Sequence, residues 1–191
     1  MSYNVLVIPE DFRKDQGILK PIISAMLEEV GRPLANIRIC QNPLLGGTGQ
    51  ALNKERIAEI VRKYKMFDLF LLCVDRDGQA GRRQQLDNIE AYVRSECGRT
   101  LLAENAWQEV EVWLLAGLKD LPNDWVWADI RAHANPKEAY YLPVARRQGF
   151  EMEPDEGRGR LAKLSAANYQ RVFQLCPEDI QSLHRRVQGC L

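Results

Sequence analysis

The stretch FDLFLLCVDRDG, residues 67–78, decides the fold of this chain. Residues 67–74 are apolar except for one aspartate, and the polar turn DRDG, residues 75–78, follows directly. A short apolar run without regular polar alternation is typical of a strand that is buried on both faces, as in a parallel sheet. The stretch therefore predicts a central parallel strand whose carboxyl end carries two acidic residues.

Other segments of the chain have the pattern of strands that alternate with helices. Residues 3–9 (YNVLVIP), 36–40 and 100–103 are short and apolar, as strands are. Apolar residues recur at helical spacing between them, and Asn53 is a candidate N-cap. Helices are predicted over residues 18–30, from Asn53 to Tyr64, over 83–95 and over 107–117.

This alternation predicts an α/β fold with a Rossmann-like parallel sheet and right-handed crossovers. The strand pattern stops after Leu118, and the rest of the chain has the pattern of short helices packed on the edge of the sheet. We therefore expect an α/β core over residues 1–117 and a C-terminal helical extension over residues 118–191. The helices of the extension are predicted over residues 125–133, 136–148, 159–167 and 177–188.

The balance of acidic and basic residues excludes a strong electrostatic field from the net charge of the chain. Formal net charge is zero, with 26 basic and 26 acidic residues, so no global attraction draws the protein to nucleic acid or to an anionic membrane. This disfavours a dedicated nucleic-acid binder more than an enzyme, because an enzyme can guide a phosphate with a local basic patch.

The cysteines and the N-terminus indicate a cytoplasmic protein. The five cysteines are odd in number and show no CxxC or Cys/His ligand spacing, which predicts free thiols in a reducing compartment and no zinc site. The sequence opens without a basic and apolar leader, and no apolar run approaches the roughly 18 residues of a membrane span. We expect neither a signal peptide nor a membrane association.

Acidic residues follow two of the predicted strands, Glu10 after the first and Asp75 with Asp77 after the central one. Ligands of parallel sheets bind outside the carboxyl ends of the strands, and residues two apart in an extended segment point to the same side. Carboxylates aimed at one point repel unless a cation or proton lies between them. The pattern predicts a Mg²⁺ site, with a polar turn and a helix-capping aspartate as the structural alternative.

A further carboxylate is predicted within residues 107–117 (WQEVEVWLLAG), which have the pattern of a helix that ends at a glycine. Glu109 and Glu111 would lie about 200° apart on that helix, so only one can face the strand ends. Glu111 borders the apolar face that holds Val110 and Trp113. We therefore expect Glu111 to complete the site and Glu109 to be solvated.

With these residues in place, the chain resembles the Toprim-like nucleases, and among them a family of small bacterial proteins often found with ATPases in defence loci. Toprim domains carry a glutamate after the first strand and a DxD after a later one, matched here by Glu10 in VLVIPE and by Asp75 and Asp77. The small family adds a QExExWLL segment, matched by residues 108–115. Its later Pro-Lys, Gly-Arg and Cys-Pro-Glu are matched by residues 136–137, 159–160 and 176–178.

The resemblance covers about residues 3–117. It implies a Toprim-like core, Mg²⁺ or Mn²⁺ as the cofactor, and cleavage of phosphodiester bonds or a related phosphoryl transfer, with DNA favoured over RNA as the nucleic-acid substrate. The two aspartates of DRDG would be metal ligands, Glu10 a ligand or the general base, and Glu111 a second-metal or outer carboxylate. The usual EGxxE-like loop is PEDF here, so either Glu10 or Asp11 reaches the metal. A partner ATPase in bacterial anti-phage defence is implied too, and a homo-oligomer is left open.

Basic residues are candidates for phosphate contacts. Lys137 and Lys20 are candidates for the cation near the leaving oxygen, and Arg82 with Arg83, close after the DRDG turn, for nucleic-acid binding. The loop LGGTGQ, residues 45–50, lacks the GxxxxGK[ST] and GxGxxG spacings. We expect it to be a flexible loop near the ligand edge of the sheet rather than a phosphate site.

Two other functions are compatible with the pattern. A haloacid-dehalogenase-like phosphatase would use Asp75 as nucleophile and Asp77 as acid, but that family has threonine or valine where this chain has Gln79. A degenerate Toprim-like module that docks on its ATPase without catalysis is the second, favoured by the neutral net charge and the altered loop at Glu10.

Overall fold

The strands predicted from the apolar runs form one sheet. A computed structural model describes residues 3–191 and pairs the four strands in the order β2-β1-β3-β4, all parallel. The predicted α/β fold with a Rossmann-like parallel sheet is therefore confirmed. The strands are β1 (Asn4–Pro9), β2 (Asn36–Ile39), β3 (Leu69–Asp75) and β4 (Leu101–Ala106).

Helices connect the strands, and after β4 the regular structure is entirely helical within the residues described. Those of residues 1–117 are α1 (Phe12–Glu29), α2 (Thr48–Ala51), α3 (Lys54–Lys63), α4 (Arg82–Cys97) and α5 (Glu111–Gly117). Those of the C-terminal extension are α6 (Trp127–Ala132), a π-helical turn (Lys137–Tyr141), α7 (Leu142–Arg147), α8 (Arg158–Ala166), α9 (Tyr169–Leu175) and α10 (Ile180–Gln188). Within residues 3–191, no helix combines the length and the apolarity needed to cross a membrane.

The central strand β3 is buried on both faces, which explains its continuous apolar sequence. Leu69, Leu71 and Cys73 lie in a hydrophobic core with α1 and α5, whereas Phe70 and Leu72 lie in a second core with α3 and α4. The sheet is thus the middle layer of three, and its carboxyl edge is left for polar residues.

The C-terminal extension packs mainly on helices rather than on the edge of the sheet. Only α10 makes extensive contact with the edge strand β4, while α8 and α9 lie against α1 and α5. Gly17 of α1 permits this close approach, because a Cβ there would lie 3.1 Å from the backbone nitrogen of Gly159 and 3.3 Å from the Cβ of Arg158. One hydrophobic core therefore joins residues from both parts of the chain.

Helix starts differ from the predicted ones. Helix α1 begins at Phe12 rather than at Ile18, because the Asp11 side chain caps it by accepting a hydrogen bond from the Arg13 N–H at 2.9 Å. Helix α5 begins at Glu111 rather than at Trp107, since Gln108 has a left-handed φ of 78°. Helix α9 was not predicted. Asn53 does cap α3, through a hydrogen bond from the Arg56 N–H at 2.8 Å.

Candidate functional site

Acidic side chains meet at the switch point of the sheet, where the connections of β1 and β3 leave in opposite directions. Glu10 directly follows β1, and Asp75 is the last residue of β3. The register pairs Pro9 with Cys73, and the Glu10 N–H donates to the Cys73 carbonyl at 3.2 Å. The strands themselves therefore place Glu10 beside Asp75.

The carboxylate of Glu10 is oriented by two donors. The Thr48 hydroxyl donates to Oε1, and the Asp75 backbone N–H donates to Oε2 at 3.2 Å. Thr48 is the first residue of α2, so the glycine-rich segment 45–50 does lie at the ligand edge, but residues 48–50 form a helical turn rather than the expected flexible loop. Asp11, the alternative to Glu10, uses its carboxylate to cap α1. The residue that contacts Asp75 is Glu10.

Asp75 is half-buried, and the surroundings of its carboxyl group disfavour the ionised form. Its Oδ1 accepts a hydrogen bond from the Val110 N–H at 2.9 Å. Burial raises the pKa of Asp75 well above its ordinary value, and the charges of Asp15, Glu111 and Glu10 raise it further, against the lowering effect of the Val110 N–H. A cation or a proton at this point would relieve the repulsion.

Asp15 is a member of the site that the sequence analysis missed. It lies on the first turns of α1, is only 8% exposed, and accepts a hydrogen bond from the Asp11 N–H at 2.9 Å. Burial raises its pKa from 3.8 to about 7, the Asp11 hydrogen bond lowers it, and the charge of Glu111 raises it. A signal existed: Asp15 precedes Ile18 and Leu19 by three and four residues, which places it on the buried face of the helix.

Glu111 points into the same region and has a cation of its own. It is 4% exposed, and its Oε1 accepts hydrogen bonds from Nη2 of Arg158 at 2.8 Å and from Nε at 3.2 Å. Arg158, on α8, is 2% exposed and also pairs with Glu156. The C-terminal extension thus supplies the cation of the site. We call Glu10, Asp15, Asp75 and Glu111 the acidic cluster.

Asp77 does not join the acidic cluster. The expectation that it would point to the same side as Asp75 is wrong, because β3 ends at Asp75 and Asp77 has a left-handed φ of 51°. Its exposed carboxylate instead lies 3.5 Å from Nη2 of Arg82. The turn is fixed from the other side by Gln108, whose carbonyl accepts from the Asp77 N–H at 3.2 Å and whose side chain accepts from the Gly78 N–H at 2.8 Å.

Glu109 is half-buried, so the expectation of a solvated side chain is wrong. Its Oε2 accepts a hydrogen bond from the Lys137 backbone N–H at 2.8 Å, and burial raises its pKa. The helix on which Glu109 was expected to point outward does not include it. The Lys137 ammonium lies 3.8 Å from Glu138, and Lys20 is exposed on α1.

The two arginines predicted to bind nucleic acid are engaged by the protein. Arg82 is 4% exposed and holds the DRDG turn through the Arg76 carbonyl at 3.4 Å and Asp77. Arg83 pairs with Asp87 and donates to the Ala103 carbonyl of β4 at 2.8 Å. These contacts give both residues a structural role at the carboxyl edge.

The donor set fits a hard divalent cation with few protein ligands. Within residues 3–191, no three histidine, cysteine or acidic side chains form a ready metal-binding group, so a closed metal cage is not built. Mg²⁺ usually takes only one or two carboxylates and completes its shell with water and phosphate oxygens. Glu10 and Asp75 match that requirement.

Comparisons with known proteins give no assignment: no family model, curated protein or solved structure matches this chain.

Proposed function

We propose that this chain is a Mg²⁺-dependent nuclease that hydrolyses phosphodiester bonds. One observation supports it most: at the switch point of a parallel sheet the Glu10 carboxylate accepts from the Asp75 backbone N–H, and the charges of Glu10, Asp15 and Glu111 all act on the Asp75 carboxyl group. Within residues 3–191, Arg158 is the one basic side chain in an ion pair with the acidic cluster. The excess of negative charge favours a divalent cation.

The residues of the cluster divide the chemistry among them. When bound, Mg²⁺ would orient the phosphate and lower the pKa of an attacking water. Asp75 and Glu10 would hold the cation, and Glu10 is kept in place by Thr48. Asp15, with a pKa of about 7, can take up a proton at its carboxylate near neutral pH, as a general base does. Glu111 adds charge that is partly offset by Arg158.

The substrate and the partner follow from the resemblance of residues 3–117 to the small Toprim-like family. It favours DNA as the substrate and an ATPase of a bacterial defence locus as the partner, in the cytoplasm.

One observation favours a second function, the non-catalytic docking module. Asp77 is turned toward Arg82, so the DxD pair does not present two carboxylates to one point. A module that has lost catalysis would tolerate this arrangement, whereas a nuclease must work with Asp75 and Glu10.

Cleavage and metal binding can be measured on matched variants. Plasmid DNA and RNA are incubated with the protein and Mg²⁺ or Mn²⁺, alone and with the neighbouring ATPase, and thermal unfolding is followed with and without metal. We expect wild type to cleave DNA and to be stabilised by metal, since a ligand of the folded state raises its stability. Asp75→Asn should lose both effects, and the control Asp77→Asn should keep the stabilisation.

Two results would contradict the proposal. Unchanged Mn²⁺ stabilisation of Asp75→Asn would place the metal elsewhere. A wild type that binds its ATPase but cleaves nothing would favour the docking module.

A further inference from the structure

Arg76, the residue between the two aspartates of the DRDG turn, has its guanidinium over an aromatic ring. The centre of its guanidinium lies 3.9 Å from the ring centroid of Trp107. Its backbone is fixed as well, because the Arg76 N–H donates to the Gln108 carbonyl at 2.9 Å and the Arg76 carbonyl accepts from Arg82 at 3.4 Å. The charge therefore has a defined place at the carboxyl edge.

Trp107, whose ring lies under Arg76, is anchored through its backbone. Trp107 follows β4, and its backbone N–H donates to Oδ2 of Asp179 at 2.9 Å. A second guanidinium, that of Arg131, lies 5.5 Å from the same ring, but it is buried and paired with Asp179 and Glu178. Arg131 is thus occupied by the protein.

The guanidinium of Arg76 differs from those of the nearby arginines in its lack of a carboxylate or carbonyl partner. Among residues 3–191, no ion pair or side-chain hydrogen bond involves its guanidinium, whereas those of Arg82 and Arg83 are engaged. Stacking uses the face of a guanidinium and leaves its N–H edges to donate to an anion. Arg76 is half-buried, so these edges are within reach of a ligand.

We propose that Arg76, stacked on Trp107, binds the phosphodiester backbone of a DNA substrate at the rim of the acidic cluster. This role rests on the proposed nuclease function. In that function a polyanionic substrate must approach the carboxylates of the acidic cluster, which repel it. A fixed cation next to Asp75 would offset this repulsion. A planar guanidinium matches the geometry of two phosphate oxygens. Arg76 thus takes the role that the sequence had suggested for Arg82 and Arg83.

The salt dependence of DNA binding tests this role. Binding of labelled single-stranded and duplex DNA is titrated at several salt concentrations in Ca²⁺, a divalent cation that also takes oxygen ligands, and gels verify that the DNA stays intact. The variants are Arg76→Gln, Arg76→Lys and the control Arg32→Gln. Arg32 also lies over an aromatic ring, with its guanidinium 5.3 Å from the Tyr3 centroid. It follows α1, however, and therefore lies at the amino ends of the strands, away from the acidic cluster.

We expect Arg76→Gln to weaken binding about tenfold, as loss of a charge-assisted hydrogen bond does. It should also reduce the slope of log Kd against log salt by about 0.7 to 0.9, the effect of one lost phosphate contact. Arg76→Lys should keep the slope and recover part of the affinity. Arg32→Gln should match wild type. A merely structural role would change the melting temperature and leave the slope unaltered.

Failure of this role is distinct from failure of the nuclease function. If wild type binds DNA but does not cleave it in Mg²⁺, the nuclease function fails while the slope still tests Arg76. A slope and Kd of Arg76→Gln equal to those of Arg32→Gln would overturn the role of Arg76. Absence of DNA binding by wild type would overturn it too, and an acidic protein segment would become the alternative partner.

Discussion

Replacing Asp15 by asparagine should stabilise the protein at alkaline pH and have little effect at acidic pH. Asp15 is buried and surrounded by like charges, so its ionisation in the folded state is costly. Asparagine has the same shape and can still accept the hydrogen bond from the Asp11 N–H, but it carries no charge.

The size of this stabilisation follows from the raised pKa of Asp15. Between pH 3.8 and about 7, the unfolded chain has released the proton of Asp15 while the folded protein retains it, so the free energy of unfolding falls as the pH rises. Each unit of pKa is worth about 1.4 kcal/mol, so ionisation of Asp15 lowers the free energy of unfolding by about 1.7 kcal/mol at pH 5 and by about 4 kcal/mol at pH 8. Burial of the asparagine NH₂ group without a hydrogen-bond partner lowers the free energy of unfolding by about 1 kcal/mol. The net gain in the free energy of unfolding should be less than about 1 kcal/mol at pH 5 and about 3 kcal/mol at pH 8.

Urea unfolding of metal-free protein at pH 5 and pH 8 measures this difference, with EDTA present because a bound cation would remove the repulsion. The control is Asp129→Asn, the same substitution on the exposed surface of α6, which should change the free energy of unfolding by less than about 0.5 kcal/mol at either pH. An equal effect of Asp15→Asn at both pH values, or a loss of stability at pH 8, would refute the reasoning.

Other expected outcomes concern Glu111, its partner Arg158 and the thiols. Arg158→Met should lower the free energy of unfolding by about 3–5 kcal/mol, because it leaves Glu111 buried without its cation. The control is Arg160→Met, the same substitution at an exposed arginine. Equal losses of stability in the two variants would show that the pair of Arg158 and Glu111 does not stabilise the fold. Glu111→Gln should lose most cleavage, while Glu109→Gln, which still accepts the Lys137 hydrogen bond, should stay within a few-fold of wild type. Full activity of both variants would show that neither glutamate takes part in cleavage. Thiol titration in denaturant without reductant should find all five cysteines free, and a deficit of two would reveal a disulfide.

The fold was predictable because its signals are local. The apolar run 67–74 needed no long-range information to be identified as a buried strand, and alternation with helices then favoured a parallel sheet. The position of Glu10 beside Asp75 followed from the same rule, since the carboxyl ends of parallel strands share one edge.

The errors arose where single residues adopt uncommon backbone conformations or where distant segments meet. Asp77 and Gln108 both have a positive φ, which is uncommon for residues other than glycine and is not visible in a hydrophobic pattern. Asp15 was missed although its helical phase was readable, because aspartate is seldom buried. The pairing of Glu111 with Arg158 spans 47 residues in sequence, and no periodicity indicates such a contact.

The contacts at Ala103 have a consequence for how the protein associates with other chains. Edge strands usually expose a row of unpaired backbone groups on which a foreign strand can assemble. On β4, the Ala103 N–H donates to Glu90 at 2.8 Å, and its carbonyl accepts from Arg83 at 2.8 Å and from Arg186 at 3.0 Å. Side chains of α4 and α10 thus take the place of a fifth strand. This border of the sheet is closed to amyloid-like growth, and a chain truncated before Arg186 would be more prone to aggregate there.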